Sequence, residues 1–322
     1  MRGRHHIVVQ NNRIRYELSV KRNLTIIRGD SATGKTTLVQ MLTQFSELGE
    51  DSGISVLCDK EIQVLSGRNW ERMLKTFDDE IIFIDEENAF IKTEKFAAAV
   101  RESTCYFVLI TREDLPNLPY SVEEIYGIHT SGKYHDTRRV FNEMYHIYSL
   151  GTNRVRIRPD LVIVEDSNSG YEFLSKIYDK KGVSCVSAHG KSNLANRAKR
   201  SEADNILIIG DGAAIGPEMN NLYHLMKSRR KMRCYFPESF EWIILKSGII
   251  DGKEVRSILE HPEDYIESRE YFSWERFFSK VLVEYTKDTY QKYSKAHLNQ
   301  YYLQPHEVEK ICAEMPDIGL EG

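Results

Sequence analysis

Short β-rich apolar runs at 24–28, 55–58, 81–85 and 106–111 alternate with stretches at 35–45, 70–77 and 94–102 whose apolar residues recur at helical spacing. Strand and helix in turn predict a parallel α/β sheet. The stretch 129–159 changes character. It holds Ser131-Gly132, the basic Arg138-Arg139, several aromatics, and the alternating Val155-Arg156-Ile157-Arg158 closed by Pro159, a pattern expected of a connector or lid hairpin. A second series follows, with strands at 161–165, 183–187, 205–211 and 232–236 and helices at 171–179, 194–202 and 218–228. Four strands joined by three crossovers predict parallel pairing with right-handed winding. After about 239 the pattern is mostly helical, at 272–285 and again at 305–315. The expected organisation is 1–128, a connector at 129–159, a second α/β domain at 160–250 and a helical C-terminal extension at 251–322. No internal repeat or low-complexity segment is seen.

Composition narrows the class without changing the layout. At ~100–200 residues per domain, 322 residues make about two domains. Apolar residues make up 41% and charged residues 29%, with 19 Gly and 8 Pro, which argues against disordered, collagen-like or disulfide-scaffold chains. The longest apolar runs fall far short of the ~18–20 residues that span a bilayer, so no membrane segment is expected. The basic start is followed by Gln10, Asn11, Asn12 and Arg13 where a signal peptide needs an apolar stretch. Cys58, Cys105, Cys185, Cys234 and Cys312 stand far apart with no C-x-x-C pair, as expected of reduced thiols in a cytoplasmic protein. The net charge of −4 decides nothing about a nucleic-acid partner, because a local patch outweighs the sum.

Candidate chemistry begins with Gly29-Asp30-Ser31-Ala32-Thr33-Gly34-Lys35-Thr36, which satisfies G-x-x-x-x-G-K-[ST] between an expected strand and a helical run opening at Thr37. Glycines let such a loop curl so that backbone N–H groups face an anion, and the helix N-terminus adds a favourable dipole. Lys35 is expected at the β- and γ-phosphates of ATP, and Thr36 at Mg²⁺. The apolar run 81–84 ends in Asp85 and Glu86, placed to hold the Mg²⁺ and to polarise an attacking water respectively. Thr111-Arg112, at the end of the next strand, suits either a γ-phosphate sensor or a plain turn. Leu65-Ser66-Gly67-Arg68 stands too close to Lys35 for the signature of an ABC-type ATPase. The N-terminal part resembles a minimal P-loop ATPase of the AAA-like or STAND-like kind.

In the second series Glu165 ends the first strand and Asp211 the third, both at the carboxyl edge where ligands of open α/β sheets gather. Two carboxylates so placed suggest a hard divalent cation such as Mg²⁺. The arrangement resembles the TOPRIM fold of topoisomerases, primases and the overcoming-lysogenization-defect (OLD) nucleases, where a glutamate follows the first strand and D-x-D the third. Ala213 stands where the family has its second aspartate. Asp166, Glu218, Glu238 and Glu241 are candidates to replace it, and Phe236-Pro237-Glu238-Ser239-Phe240-Glu241 looks like the acidic segment after the last strand in relatives of the OLD nucleases. Lys191, Arg197, Lys199 and Arg200, and the run 227–233, place basic residues around this sheet, suited either to solvated helix ends or to a nucleic-acid backbone.

The fold expected is α/β throughout: a P-loop NTPase parallel sheet, then a parallel TOPRIM-like domain with a helical tail. The resemblance implies an ATPase governing a Mg²⁺-dependent nuclease, in the manner of OLD-type bacterial phage-defence proteins. It also implies a homo-oligomer in which Arg138, Arg139 or Arg154 acts across subunits. The main alternative is an ATP-dependent switch or scaffold whose second domain binds nucleic acid or protein without catalysis. A small-molecule or nucleotide kinase is a third, which leaves the C-terminal sheet without a role.

Overall fold

The computed structural model describes residues 1–29, 34–131, 139–148, 156–229 and 231–320. The chain divides into two compact units, Met1–Tyr148 with Glu263–Phe272, and Ser149–Pro262 with Ser273–Gly322. Both are α/β. Among the described residues no helix is long and apolar enough to cross a membrane.

The first unit holds a nine-stranded sheet built from β1 (His5–Gln10), β2 (Ile14–Val20), β3 (Leu24–Ile27), β4 (Ser55–Leu57), β5 (Ile62–Val64), β6 (Ile81–Ile84), β7 (Tyr106–Ile110), β8 (Ile125–Thr130) and β9 (Val140–His146). The strand order is β4-β1-β2-β9-β8-β3-β7-β6-β5. The sheet is mixed rather than parallel, which corrects the expectation from sequence. Strands β8, β3, β7, β6 and β5 are parallel, whereas β1 pairs antiparallel with β2 and β4, and β8 with β9. The cause lies in two strands that lack an unbroken apolar run. In β2 Tyr16, Leu18 and Val20 are buried while Arg15, Glu17 and Ser19 are not, the period-2 alternation of a strand covered on one face. Asn11 closes the turn before it, its side chain accepting from the N–H groups of Arg13 and Ile14. The run at 55–58 becomes β4, an antiparallel edge, and the parallel series ends at β5 instead. Likewise β9, within the stretch read as a connector, lies inside the sheet between β2 and β8.

Helices α1 (Lys35–Leu48), α2 (Trp70–Leu74) and α3 (Glu94–Glu102) complete this unit. Leu38 and Leu42 of α1 share one buried core with Ile81, Phe83, Val108 and Ile110 of the parallel strands. The segment 263–272, expected in the C-terminal extension, belongs to this unit. Glu263 there accepts from Arg4 at 2.8 Å, and Glu267 from the N-terminal ammonium at 2.8 Å.

The second unit contains β10 (Leu161–Val164), β11 (Ser184–Ser187), β12 (Ile206–Ile209) and β13 (Met232–Tyr235), ordered β11-β10-β12-β13 and parallel throughout. The parallel pairing expected from the alternation of strand and helix is the pairing found. All four residues of β12 are buried, as expected for a strand covered on both faces. Helices α4 (Ser169–Lys180), α5 (Leu194–Arg200) and α6 (Met219–Ser228) connect the strands; α7 (Phe240–Lys246), α8 (Lys253–Glu260) and two later helices, Trp274–Thr286 and Pro305–Ala313, follow. The chain steps from β10 to β11 on one side and then crosses to β12 on the other. That reversal leaves a crevice at the carboxyl ends of β10 and β12, where open α/β sheets bind ligands.

Candidate functional site

In the first unit three strand ends converge on one edge. Ile27 of β3 lies opposite Ile110 of β7, and Leu109 opposite Ile84 of β6, while the Thr111 N–H donates to the Ile27 carbonyl at 3.1 Å. Gly29, Thr111-Arg112 and Asp85-Glu86 therefore leave the sheet together, with the middle pair between the glycine loop and the acids. Gly34 caps α1 in the left-handed region, φ 83°, and Lys35 behind it is 6% exposed with Nζ donating to the Gly29 carbonyl at 2.8 Å. No acid stands in the first turn of α1, so the helix dipole and the lysine act together on any anion there. Asp30, Ser31, Ala32 and Thr33, the middle of the expected cradle, lie outside the described residues.

Tyr16 is a contributor that the sequence reading missed. Its hydroxyl donates to the Gly34 carbonyl at 2.8 Å, and a Cβ added at Gly34 would sit 2.7 Å from that hydroxyl. Burial pushes the phenol pKa up, opposed by hydrogen bonds with the side chains of Thr37 and Asn142. Thr36 is exposed and Thr37 half-buried against Tyr16. The antiparallel part of the sheet thus braces the turn that opens α1.

Glu86 Oε1 lies 3.1 Å from Arg112 Nη2, and Asp85 Oδ1 accepts from the Glu86 N–H at 2.7 Å. The Glu86–Arg112 pair is half-exposed and adds little stability; its effect is to orient the glutamate. Arg28, beside the glycine loop, is buried and already paired with Asp114 and Tyr120, each at 2.7 Å. Of the three arginines considered for action across subunits, Arg138 and Arg154 lie outside the described residues, and Arg139 donates to Gln10 at 3.2 Å.

In the second unit the crevice between β10 and β12 holds a cavity of about 40 Å³, lined by Glu165, Asp166, Asp211, Glu241 and Lys295 among others. That is room for about two or three waters or a partly hydrated ion. Glu165 Oε2 accepts from the Asp211 N–H at 3.0 Å, so the two strand ends are tied directly. Gly212 is required behind them: an added Cβ would come within 2.6 Å of the Phe236 carbonyl oxygen and 2.8 Å of the Pro237 one. Burial pushes the Glu165 carboxyl above its usual range, against the pull of the Asp211 N–H and Lys191. Asp211 stands well above its usual range, first through burial, then through the neighbouring Glu241 and Glu165 charges. Acids gathered this closely, with their charge only partly offset by Lys191 and Lys295, have the chemistry of a cation site.

Among the four acids considered to replace the one missing at Ala213, Glu241 bears most strongly on Asp211. Ser239 caps α7 by accepting from the Trp242 N–H, which sets the buried Glu241 in the first turn. Tyr293 donates to Glu241 Oε1 at 2.8 Å and meets the Ser169 hydroxyl at 2.5 Å. Asp166 lines the same cavity but is engaged by the N–H and side chain of Asn168. The Ala213 N–H donates to the Glu238 carbonyl at 3.3 Å, and Glu218 bears on Lys191 rather than on the carboxylates. Among the described residues no three His, Cys, Asp or Glu side chains are disposed to hold a metal ion by themselves. Glu165 and Asp211, with Glu241 nearby, could supply only part of a cation's ligands; the remaining positions would fall to water or substrate oxygens, as with Mg²⁺. Tyr293 and Lys295, which the sequence reading did not single out as site residues, belong to this constellation; Lys295 pairs with Glu275 and partly offsets the charge on Glu165 and Asp211.

Compared with known proteins, the chain matches no protein-family model and no curated protein sequence.

Proposed function

We propose that this protein binds and hydrolyses ATP in its first unit and cleaves nucleic-acid phosphodiesters, with Mg²⁺ or Mn²⁺, in its second. The observation that carries the proposal is the pairing of Glu165 and Asp211 across the β10–β12 crevice, with Glu241 beside them. Lys35 and the α1 N-terminus would hold the phosphates, Thr36 and Asp85 the Mg²⁺, and Glu86 would take a proton from water while Arg112 orients it. In the second unit a bound divalent cation supplies Lewis acidity at a phosphoryl oxygen. Glu165 and Asp211 would fix its place, Tyr293 would hold Glu241 toward Asp211, and Lys295 would add positive charge beside the substrate phosphate. The resemblance to OLD-type ATPase–TOPRIM proteins supports the joining of these two activities and a homo-oligomeric assembly.

A second reading, an ATP-dependent switch whose second unit binds without cutting, is favoured by Ala213, which is buried with no acid in its place. Plasmid and single-stranded DNA incubated with Mn²⁺ separate the two. Cleavage by the wild type and its loss, by 100-fold or more on the scale of about 10²–10⁴ for removing a charge-stabilising group, in both Glu165→Ala and Asp211→Ala is expected. Equal behaviour of all three proteins supports the switch instead.

A further inference from the structure

The basic residues around the second sheet fall into two groups that the structure distinguishes. The described basic residues of the run 227–233 are engaged locally. Lys227 sits 4.5 Å from the centre of the Tyr223 ring, Arg229 donates to the Ser201 carbonyl at 2.9 Å, Lys231 pairs with Asp204 at 3.3 Å, and Arg233 donates to the Met232 carbonyl at 2.9 Å. Arg197 and Arg200 are different. Both are exposed, and the side chain of neither makes a hydrogen bond or ion pair with any described residue.

These two guanidinium groups line a cleft of about 590 Å³ beside α5 and the edge strand β11, together with His189, Asn193 and Asn196. Asn193, Asn196, Arg197 and Arg200 stand at i, i+3, i+4 and i+7, one face of the helix, and among the described residues no acid lines the cleft. The helix dipole favours basic residues in the last turn, but Lys199 serves that end equally well. It does not account for the asparagines, and two like charges at i and i+3 repel weakly, a cost that an anion between them would remove. His189 marks one end of the cleft. The next residue, Gly190, donates its N–H to the Glu165 carbonyl at 2.7 Å, so that end is tied to the strand carrying the carboxylate.

We propose that this cleft seats one strand of a nucleic-acid backbone, with Arg197 and Arg200 each on a phosphate, and leads it to the crevice at Glu165 and Asp211. The inference rests on the phosphodiester reading of that crevice for its direction. The choice of a nucleic acid over an acidic peptide follows from that destination: a chain with an anion on every unit presents phosphates to both arginines and to the cation site at once, whereas a peptide offers the crevice no phosphoryl group. Planar guanidinium forks and amide donors suit phosphate oxygens.

The test is anisotropy of a labelled oligothymidylate of about 20 nucleotides in EDTA, where nothing is cut. Arg197→Gln/Arg200→Gln is expected to raise Kd about tenfold or more and to lower the slope of log K against log salt by about 1.4, or ~0.7 for each phosphate no longer neutralised. Lys227→Gln/Lys231→Gln, with the same change of charge, is expected to bind as the wild type does, and Arg197→Lys/Arg200→Lys to keep most of the affinity. Circular dichroism of each variant checks its folding. An unchanged Kd and slope in the Gln double variant overturns the proposal, as does polyglutamate competing as well as the oligonucleotide. The two readings fail separately: oligonucleotide bound through the arginines but cut undiminished by Glu165→Ala removes the cleavage site and leaves the cleft, whereas cutting lost in Glu165→Ala with binding indifferent to the arginines does the reverse.

Discussion

Glu86→Gln is expected to lower the ATP turnover rate by about 10²- to 10⁴-fold, the range for loss of a general base, while ATP remains bound. Lys35→Ala is expected to act one step earlier. It removes a charge-assisted hydrogen bond to phosphate, worth about 1.5–3 kcal/mol, so affinity for ATP falls by about 10- to 100-fold. The contrast follows from position. Lys35 is buried at the start of α1 with its ammonium turned to the Gly29 carbonyl, whereas Glu86 is half-exposed after the end of β6 with its carboxylate beside Arg112. Stopped-flow binding of a fluorescent ATP analogue, alongside phosphate release, measures both. Normal turnover in Glu86→Gln would show that another group activates the water.

The second large effect concerns the crevice of the second unit and has a defined sign with pH. Glu165 and Asp211 both have carboxyl pKa values raised in the folded protein, chiefly by burial. The folded state therefore holds their protons more tightly than the unfolded chain. The stability this provides is fully present below the ordinary carboxylate range and is lost as the pH rises through the raised values. In EDTA near neutral pH, Asp211→Asn is thus expected to be more stable than the wild type. The expected difference is a higher Tm for the variant in thermal unfolding. In acid, with both carboxyls protonated, the difference should vanish. A variant less stable than wild type at neutral pH would mean that Asp211 serves the fold as a hydrogen-bond acceptor and not as a charge awaiting a cation.

How much of this was legible in the sequence depended on whether the signal was local. Strands β10 and β12 of the second unit announced themselves as apolar runs, and Glu165 and Asp211 could be placed at their ends because a parallel strand fixes which end its last residue occupies. Glu241 could be named only among several candidates, through the resemblance of the segment after the last strand to that of the OLD nucleases. The mixed character of the first sheet could not be read from apolar runs, because β2 alternates and its period of two hides Tyr16 among polar neighbours. Tyr293 and Lys295 had no local signal: they reach the crevice by tertiary packing, through the Tyr293 bond to Glu241 and the Lys295 carbonyl accepting from the Ser169 N–H at 2.9 Å. The two basic stretches look alike in sequence and differ only in the partners that the fold brings to them.

The most direct measurement is Mn²⁺ binding followed by electron paramagnetic resonance in wild type, Glu165→Gln and Asp211→Asn, each without nucleotide so that the first unit holds no phosphate-bound metal. The account predicts a Mn²⁺ ion bound by the wild type and lost, or weakened at least tenfold, in both variants, on the scale of losing one carboxylate ligand. Binding that is equal in all three proteins, or absent from the wild type, would contradict it.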